Sequence, residues 1–152
     1  MQRSTTHATF VIEREYKAAP AKVFAAFADP TLKRQWWGAP KEWVEKSPYQ
    51  LDFRVGGKES ASGGPPGGVV HTYDATIQSI TDGERIVIAY DLYLDETRIS
   101  VSLGTTEIKP HGAGTKLMYT EQGVYLDGYD DAGSREHGTN QLFNQLEAFL
   151  NA

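Results

Sequence analysis

The stretch GYDDAGSREHG, residues 128–138, gathers Asp130, Asp131, Arg135, Glu136 and His137 just before the last apolar run of the chain. Carboxylates, a guanidinium and an imidazole at this density can do acid–base chemistry, hold a metal, or open a helix. A calcium loop of the EF-hand kind starting at Asp127 needs oxygen ligands at its third and twelfth places and glycine at its sixth. The sequence supplies Tyr129, Gly138 and Ala132 there, so that reading fails. His7, His71, His111 and His137 are far apart and form no H-x-x-x-H or H-E-x-x-H pattern, so no metal site is expected. The charges suit a helix start: Asp131 or Ser134 can cap it, and Glu136 favours the positive end of the dipole.

A second candidate lies on the segment TKLMYTEQGVYL, where Leu117, Tyr119 and Glu121 share one face of a strand. If the two apolar residues point inwards, so does Glu121, and an inward carboxylate needs a partner, water or a raised pKa. Arg14, on the apolar side of the segment FVIEREYKA, is one possible partner. Glu121 is then either half of a structural ion pair or a polar anchor and general base. Of Trp36 and Trp37, one is expected on the core and the other at a cavity mouth. His71 shares its face with Tyr73, Ala75 and Ile77 and can reach a rim, while Arg54 supports a bend at Gly56 and Gly57. VGGK lacks the context of a phosphate loop, and no nucleophile stands beside a base in a known motif.

The elements that must position these residues follow from the periodicity. FVIEREYKA alternates as a strand with one covered face. Pro20 opens a short helix burying Val23, Phe24 and Phe27; Asp29 and Pro30 open a second, which Gly38 can end. LDFRVGG is expected to be a strand running into a bend, and SASGGPPGG a mobile hairpin loop. VVHTYDATIQSI, ERIVIAYDLYL, TRISVSLGTTEI and TKLMYTEQGVYL are strand-length segments with TDGE, LDET and KPHGAGT at three of the joins. Leu142, Leu146, Phe149 and Leu150 then repeat at helical spacing, on a helix of roughly 25 Å at about 1.5 Å per residue. Carried back by fours, the stripe lands on Gly138 beside Gln141 and Gln145, so bulk gives way to a gap at the helix start. A glycine inside a helix costs about 1 kcal/mol against alanine, and room for a pocket is a reason to keep it.

The bulk composition narrows the function. The chain has 152 residues, 39% hydrophobic and 23% charged, which suits one domain over residues 1–152. Fifteen Lys and Arg against twenty Asp and Glu give a formal charge of −5, arguing against nucleic-acid or anionic-membrane partners. The absence of cysteine excludes disulfides and thiol chemistry. No signal-like or membrane-spanning stretch is present, so a cytoplasmic protein is expected.

The order of elements, with APAKVFAAFADPTLKRQWWG, DFRVGGKES, DGERIVIAYDL, RISVSLGTTEI, GAGTKLMYTEQGVYLDG and REHGTNQLFNQLEAFL, resembles the START-type helix-grip superfamily (SRPBCC). Within it the chain is similar to the bacterial branch of the activator of heat-shock-protein-90 ATPase homologue family. The resemblance implies an α+β helix-grip fold: a curved antiparallel sheet around a long C-terminal helix, two short helices after the first strand, and an internal cavity. It implies little chemistry, because one fold serves many functions. Co-chaperone activity in the family belongs to proteins with an additional N-terminal domain, so a chaperone partner is not expected here.

The expected function is binding of a small, largely apolar or aromatic ligand in that cavity, with no cofactor, by a monomer or homodimer. The expected site comprises Trp36, Phe53, His71, Tyr73, Tyr90, Leu92, Tyr119, Glu121, His137 and Gln141. Two other readings stand beside it. One is an enzyme of cyclase, dehydratase or hydrolase type using Glu121 or His137 as acid or base; the other is a co-chaperone-type interaction module. Access is expected between residues 60–68, residues 127–133 and the Trp36–Trp37 helix end.

Overall fold

The alternation of the first segment is realised in strand β1 (Thr5–Tyr16), which buries Phe10, Ile12 and Tyr16 on one face. The computed structural model describes residues 2–152. After β1 the period changes and two short helices follow, α1 (Pro20–Ala28) and α2 (Pro30–Trp36). Each carries proline in its first turn, where no amide hydrogen is needed. α1 buries Val23, Phe24 and Phe27, and Asp29 caps α2 by accepting from the amides of Thr31 and Leu32.

Six strands follow: β2 (Val44–Leu51), β3 (Lys58–Gly64), β4 (His71–Thr81), β5 (Arg85–Leu94), β6 (Thr97–His111) and β7 (Gly114–Leu126). Helix α3 (Ala132–Asn151) ends the fold. The seven strands form one antiparallel sheet in the order β1-β7-β6-β5-β4-β3-β2. The first strand therefore lies at one edge and the second at the other, and α1 and α2 make the connection between them. The turns at TDGE and HGAG carry left-handed glycines, Gly83 and Gly112, and Asp95 takes the left-handed position at LDET.

Two expectations are corrected. LDFRVGG is not a strand: its Leu51 ends β2, and Asp52–Gly57 is a tight turn. There the Arg54 amide donates to the Asp52 carbonyl and the Gly57 amide to that of Arg54. A Cβ on Gly57 would lie 1.9 Å from the Asp52 oxygen, so the close approach needs glycine. SASGG, in turn, is not loop but most of β3, hydrogen-bonded to β2 and β4 on its two sides. Only Pro65–Val70 remains a connection, closed by a hydrogen bond from the Gly68 amide to the Pro65 carbonyl with Gly67 left-handed. Composition misleads here because Gly63 and Gly64 serve backbone contact: a Cβ on Gly63 would lie 2.7 Å from the Val44 oxygen. The edge strand β2, with Pro48 and two register shifts, has no alternating signal and was not expected.

α3 is held differently along its length. Its C-terminal half buries Phe143, Leu146 and Leu150 against the core of α1, β1, β6 and β7, each worth about 1.5–3 kcal/mol. Its N-terminal half buries Arg135 and no large apolar side chain. The sheet and this half-helix therefore do not close on each other.

Candidate functional site

The space left between α3, α2 and strands β3–β7 is a pocket of about 560 Å³. Gly138 lines it, and a Cβ there would meet nothing within 4 Å, so the helix face is open where the apolar stripe stops. The walls are aromatic and aliphatic: Phe27, Trp36, Phe53, Ile77, Ile88 and Leu142 among them. A second hollow of about 420 Å³ adjoins it, and Trp37, Trp43, His71, Tyr73 and Leu92 line both. The ring of Trp37 packs 4.8 Å from that of Tyr73 and 5.3 Å from that of Tyr49, and Trp43 lies 4.5 Å from His71. These aromatic pairs stand where the two hollows adjoin.

Two buried carboxylates stand in the pocket wall. On β7, the parity argument places Leu117, Tyr119 and Glu121 on the inner face, and all three are buried. Glu121 Oε1 accepts from Tyr90 OH at 2.7 Å and Tyr119 OH at 2.6 Å, and Arg135 Nη1 lies 3.4 Å from its Oε2. Gly104, opposite Glu121 in the ladder, makes this possible, since a Cβ there would lie 2.7 Å from the Tyr119 hydroxyl. Arg135 donates further to Tyr90 OH, Ser102 Oγ, Ser100 Oγ and, at 2.9 Å, Asp130 Oδ2. Burial pulls the guanidinium pKa down, but Tyr90, Glu121 and Asp130 outweigh it and hold it above the ordinary arginine value.

The second carboxylate, Glu59 of β3, is 1% exposed. Its Oε2 accepts from Lys33 Nζ of α2 at 2.5 Å and from the Tyr49 hydroxyl of β2; its Oε1 accepts from Tyr73 OH of β4 at 2.8 Å. Burial raises the Glu59 pKa, yet the Lys33 charge and the hydrogen bonds from Lys33, Tyr49 and Tyr73 bring it below the ordinary value of 4.5. The two centres meet through Tyr73 and Tyr90, whose rings pack 5.2 Å apart. Burial, followed by the neighbouring carboxylates, pushes Tyr49, Tyr73, Tyr90 and Tyr119 above the phenol range, so their hydroxyls stay donors at neutral pH.

Of the residues expected from the sequence, Trp36, Phe53, His71, Tyr73, Tyr90, Leu92, Tyr119 and Glu121 all line the pocket. His137 and Gln141 do not: both are exposed on the outer side of α3, so His137 does not converge with Glu121. Of the two tryptophans, Trp36 packs on the core. Trp36 is 2% exposed and its indole donates to the Ala26 carbonyl, whereas Trp37 joins the rings between the two hollows. His71 is exposed, and partial desolvation of its ring, opposed by Asp95, lowers its pKa. Arg14 is not the partner of Glu121: its guanidinium binds Asn140 and Asn144, one turn apart on α3. The partner is Arg135, which reads in sequence as part of a polar cap. Asp131 does cap α3, accepting from the Ser134 amide. Arg135, one turn in, turns inward instead. Lys33, Tyr49 and Glu59 were also missed: Glu59 directly precedes the SASGG stretch read as loop, and Tyr49 lies on the strand without an alternating signal. Among the described residues no group of three or more His, Asp or Glu is placed to hold a metal, and no helix is long and apolar enough to cross a membrane.

A curved antiparallel sheet gripping a long C-terminal helix, with a largely apolar pocket between them, defines the helix-grip class. The chain belongs to the family described as Activator of Hsp90 ATPase homolog 1-like protein, which matches residues 17–151. It is similar to an uncharacterised protein from Rhizobium leguminosarum, at 46% identity over 99% of each chain with a TM-score of 0.93. A protein from Rhizobium loti is 41% identical over 96% of this chain and 99% of that one, with a TM-score of 0.89. One from Chromobacterium violaceum is 25% identical over 95% and 97%, with a TM-score of 0.77. No curated protein matches the sequence.

Proposed function

We propose that the chain binds a small, largely apolar or aromatic ligand in the pocket between the sheet and α3. One observation carries this reading. The pocket is about 560 Å³, within the size range of small-molecule sites, and the helix face above it carries glycine where the pattern calls for leucine. A mostly apolar wall with a few fixed polar groups suits an aromatic or aliphatic body with a polar end. Acid–base catalysis has no comparable support: Glu121 already holds three donors, and His137 faces away.

The test is Gly138→Leu with pyrene fluorescence as the reporter of an apolar site. The open space at Gly138 accepts the new side chain, and the helix gains up to about 1 kcal/mol of propensity. The variant is expected to fold with unchanged or higher stability and to lose pyrene binding. Unchanged pyrene affinity in the folded variant would sink the proposal.

A further inference from the structure

The charged and phenolic groups of the lining have a direction. Two cations line the pocket, and each is already paired: Lys33 with Glu59 at 2.5 Å, Arg135 with Asp130 at 2.9 Å and with Glu121 at 3.4 Å. Lys33 also lies over the Trp37 ring, 5.5 Å from its centroid. Against these two stand three carboxylates, Glu59, Glu121 and Asp130, so the formal charge of the group is −1. The hydroxyls of Tyr73, Tyr90 and Tyr119 all donate to carboxylate oxygens. What they leave towards a ligand is lone pairs. A carboxylate offers about four acceptor sites, and Glu59 and Glu121 each hold three donors. On Glu121 the open capacity is at Oε2, whose one protein partner is the long contact from Arg135.

From this we infer that the ligand's polar end is a hydrogen-bond donor, a hydroxyl or an amine, and that the pocket discriminates against carboxylates and other anions. An incoming carboxylate would find no unpaired cation among the lining residues. It would have to share Lys33 or Arg135 with a resident acid, in an apolar surrounding where like charges repel strongly. A hydroxyl or an ammonium meets Glu121 Oε2, Glu59 Oε1 and the phenol oxygens as acceptors.

This inference rests on the reading of the pocket as a ligand site, and a matched set of probes separates the two. Pyrene, 1-pyrenemethanol and 1-pyrenecarboxylate share one fluorescent body and differ in the polar end. At neutral pH, 1-pyrenemethanol is expected to bind about tenfold more tightly than pyrene, as a hydrogen bond to a charged acceptor allows. It should exceed 1-pyrenecarboxylate by at least the same factor. In folded Glu121→Gln the preference for the alcohol over the acid should shrink at least threefold; Glu59→Gln is the second variant should the first not fold. A preference unchanged in every folded variant overturns the assignment of these acceptors. An alcohol no tighter than pyrene, or an acid as tight as the alcohol, overturns the inference while leaving the apolar site standing. Failure of all three probes to bind overturns the ligand site itself, and this inference with it.

Discussion

The Glu59 and Glu121 centres are built from the same parts: a buried carboxylate on a strand, two tyrosine hydroxyls, and one cation from a helix. They differ in how tightly the parts close. At Glu59 the cation is a lysine, a point charge at 2.5 Å whose hydrogen bond to protein is to that acid. At Glu121 it is an arginine whose fork is divided among Tyr90, Ser100, Ser102, Asp130 and, at 3.4 Å, Glu121. The first centre ties α2 to β2, β3 and β4 near the sheet edge, where the ladder is irregular and β2 contributes only Tyr49 to the buried set. The second lies under the open half of α3, where the helix has no large apolar residue to fix it. A closed centre can serve as a fastening. A slack one leaves the more open acceptor, Glu121 Oε2, for something not of the chain.

The largest effect expected from this contrast is on stability. Lys33→Met leaves Glu59 buried without its cation, a change that typically costs about 3–5 kcal/mol. In a double-mutant cycle of Lys33→Met with Glu59→Gln, followed by urea unfolding, the coupling should lie near the top of the usual range of about 0.5–3 kcal/mol. The matching cycle of Arg135→Met with Glu121→Gln should give about half as much, since the distance is longer and Arg135 also serves Asp130. Equal couplings, or a larger one at Glu121, would remove the distinction between fastening and slack site.

A smaller effect sharpens the Glu59 side through pH. Its folded pKa lies below the ordinary 4.5, so on acidification the unfolded chain takes up the proton first. The stabilisation is complete above about pH 4.5 and is lost as the pH falls from there through the lower folded pKa. Glu59→Gln removes that titration, so the variant's stability should fall less steeply than that of the parent protein across this acidic window. Unfolding curves measured at several pH values decide it: equal slopes would mean that Glu59 is not held ionised by Lys33 and the tyrosines.

The two centres were also unequally legible in the sequence. Glu121 could be placed because β7 alternates cleanly, and Leu117 and Tyr119 fix which face is buried. Tyr73 and Tyr90 followed from similar local patterns and from the resemblance to the helix-grip fold, whereas Phe53 lies on a turn that was read as strand. Glu59 could not be placed, because its strand KESASGG runs into glycines that signal loops by composition while serving close strand contact in the structure. Arg135 was visible but misread: local patterning assigns charges at a helix start to capping, whereas a long side chain one turn in can equally point to the sheet. No periodicity tells these apart. The information lies in Ser100, Ser102 and Gly104 on β6, small residues across the sheet that leave the room that Arg135 and Tyr119 occupy. Such a signal becomes readable only once the strands are in register.

The smallest effect concerns the arginine that parity did suggest. Arg14 lies on the inner side of β1, yet it reaches Asn144 Oδ1 at 2.9 Å and the Asn140 carbonyl and side chain at 3.0 Å. It belongs to the attachment of α3 and not to the slack carboxylate beneath it. These are half-exposed bonds to neutral acceptors, so Arg14→Ala should cost about 1 kcal/mol. Arg14 and Glu121 share no partner among these contacts: one binds asparagines of α3, the other tyrosines of β5 and β7 and Arg135. Combined with Glu121→Gln, the loss should therefore be additive within about 0.3–0.5 kcal/mol. A clear coupling would show that charge at Arg14 is felt at Glu121 after all. The centre under α3 would then hold a cation beyond Arg135, the pocket's formal charge would rise, and the argument against anionic ligands would weaken with it.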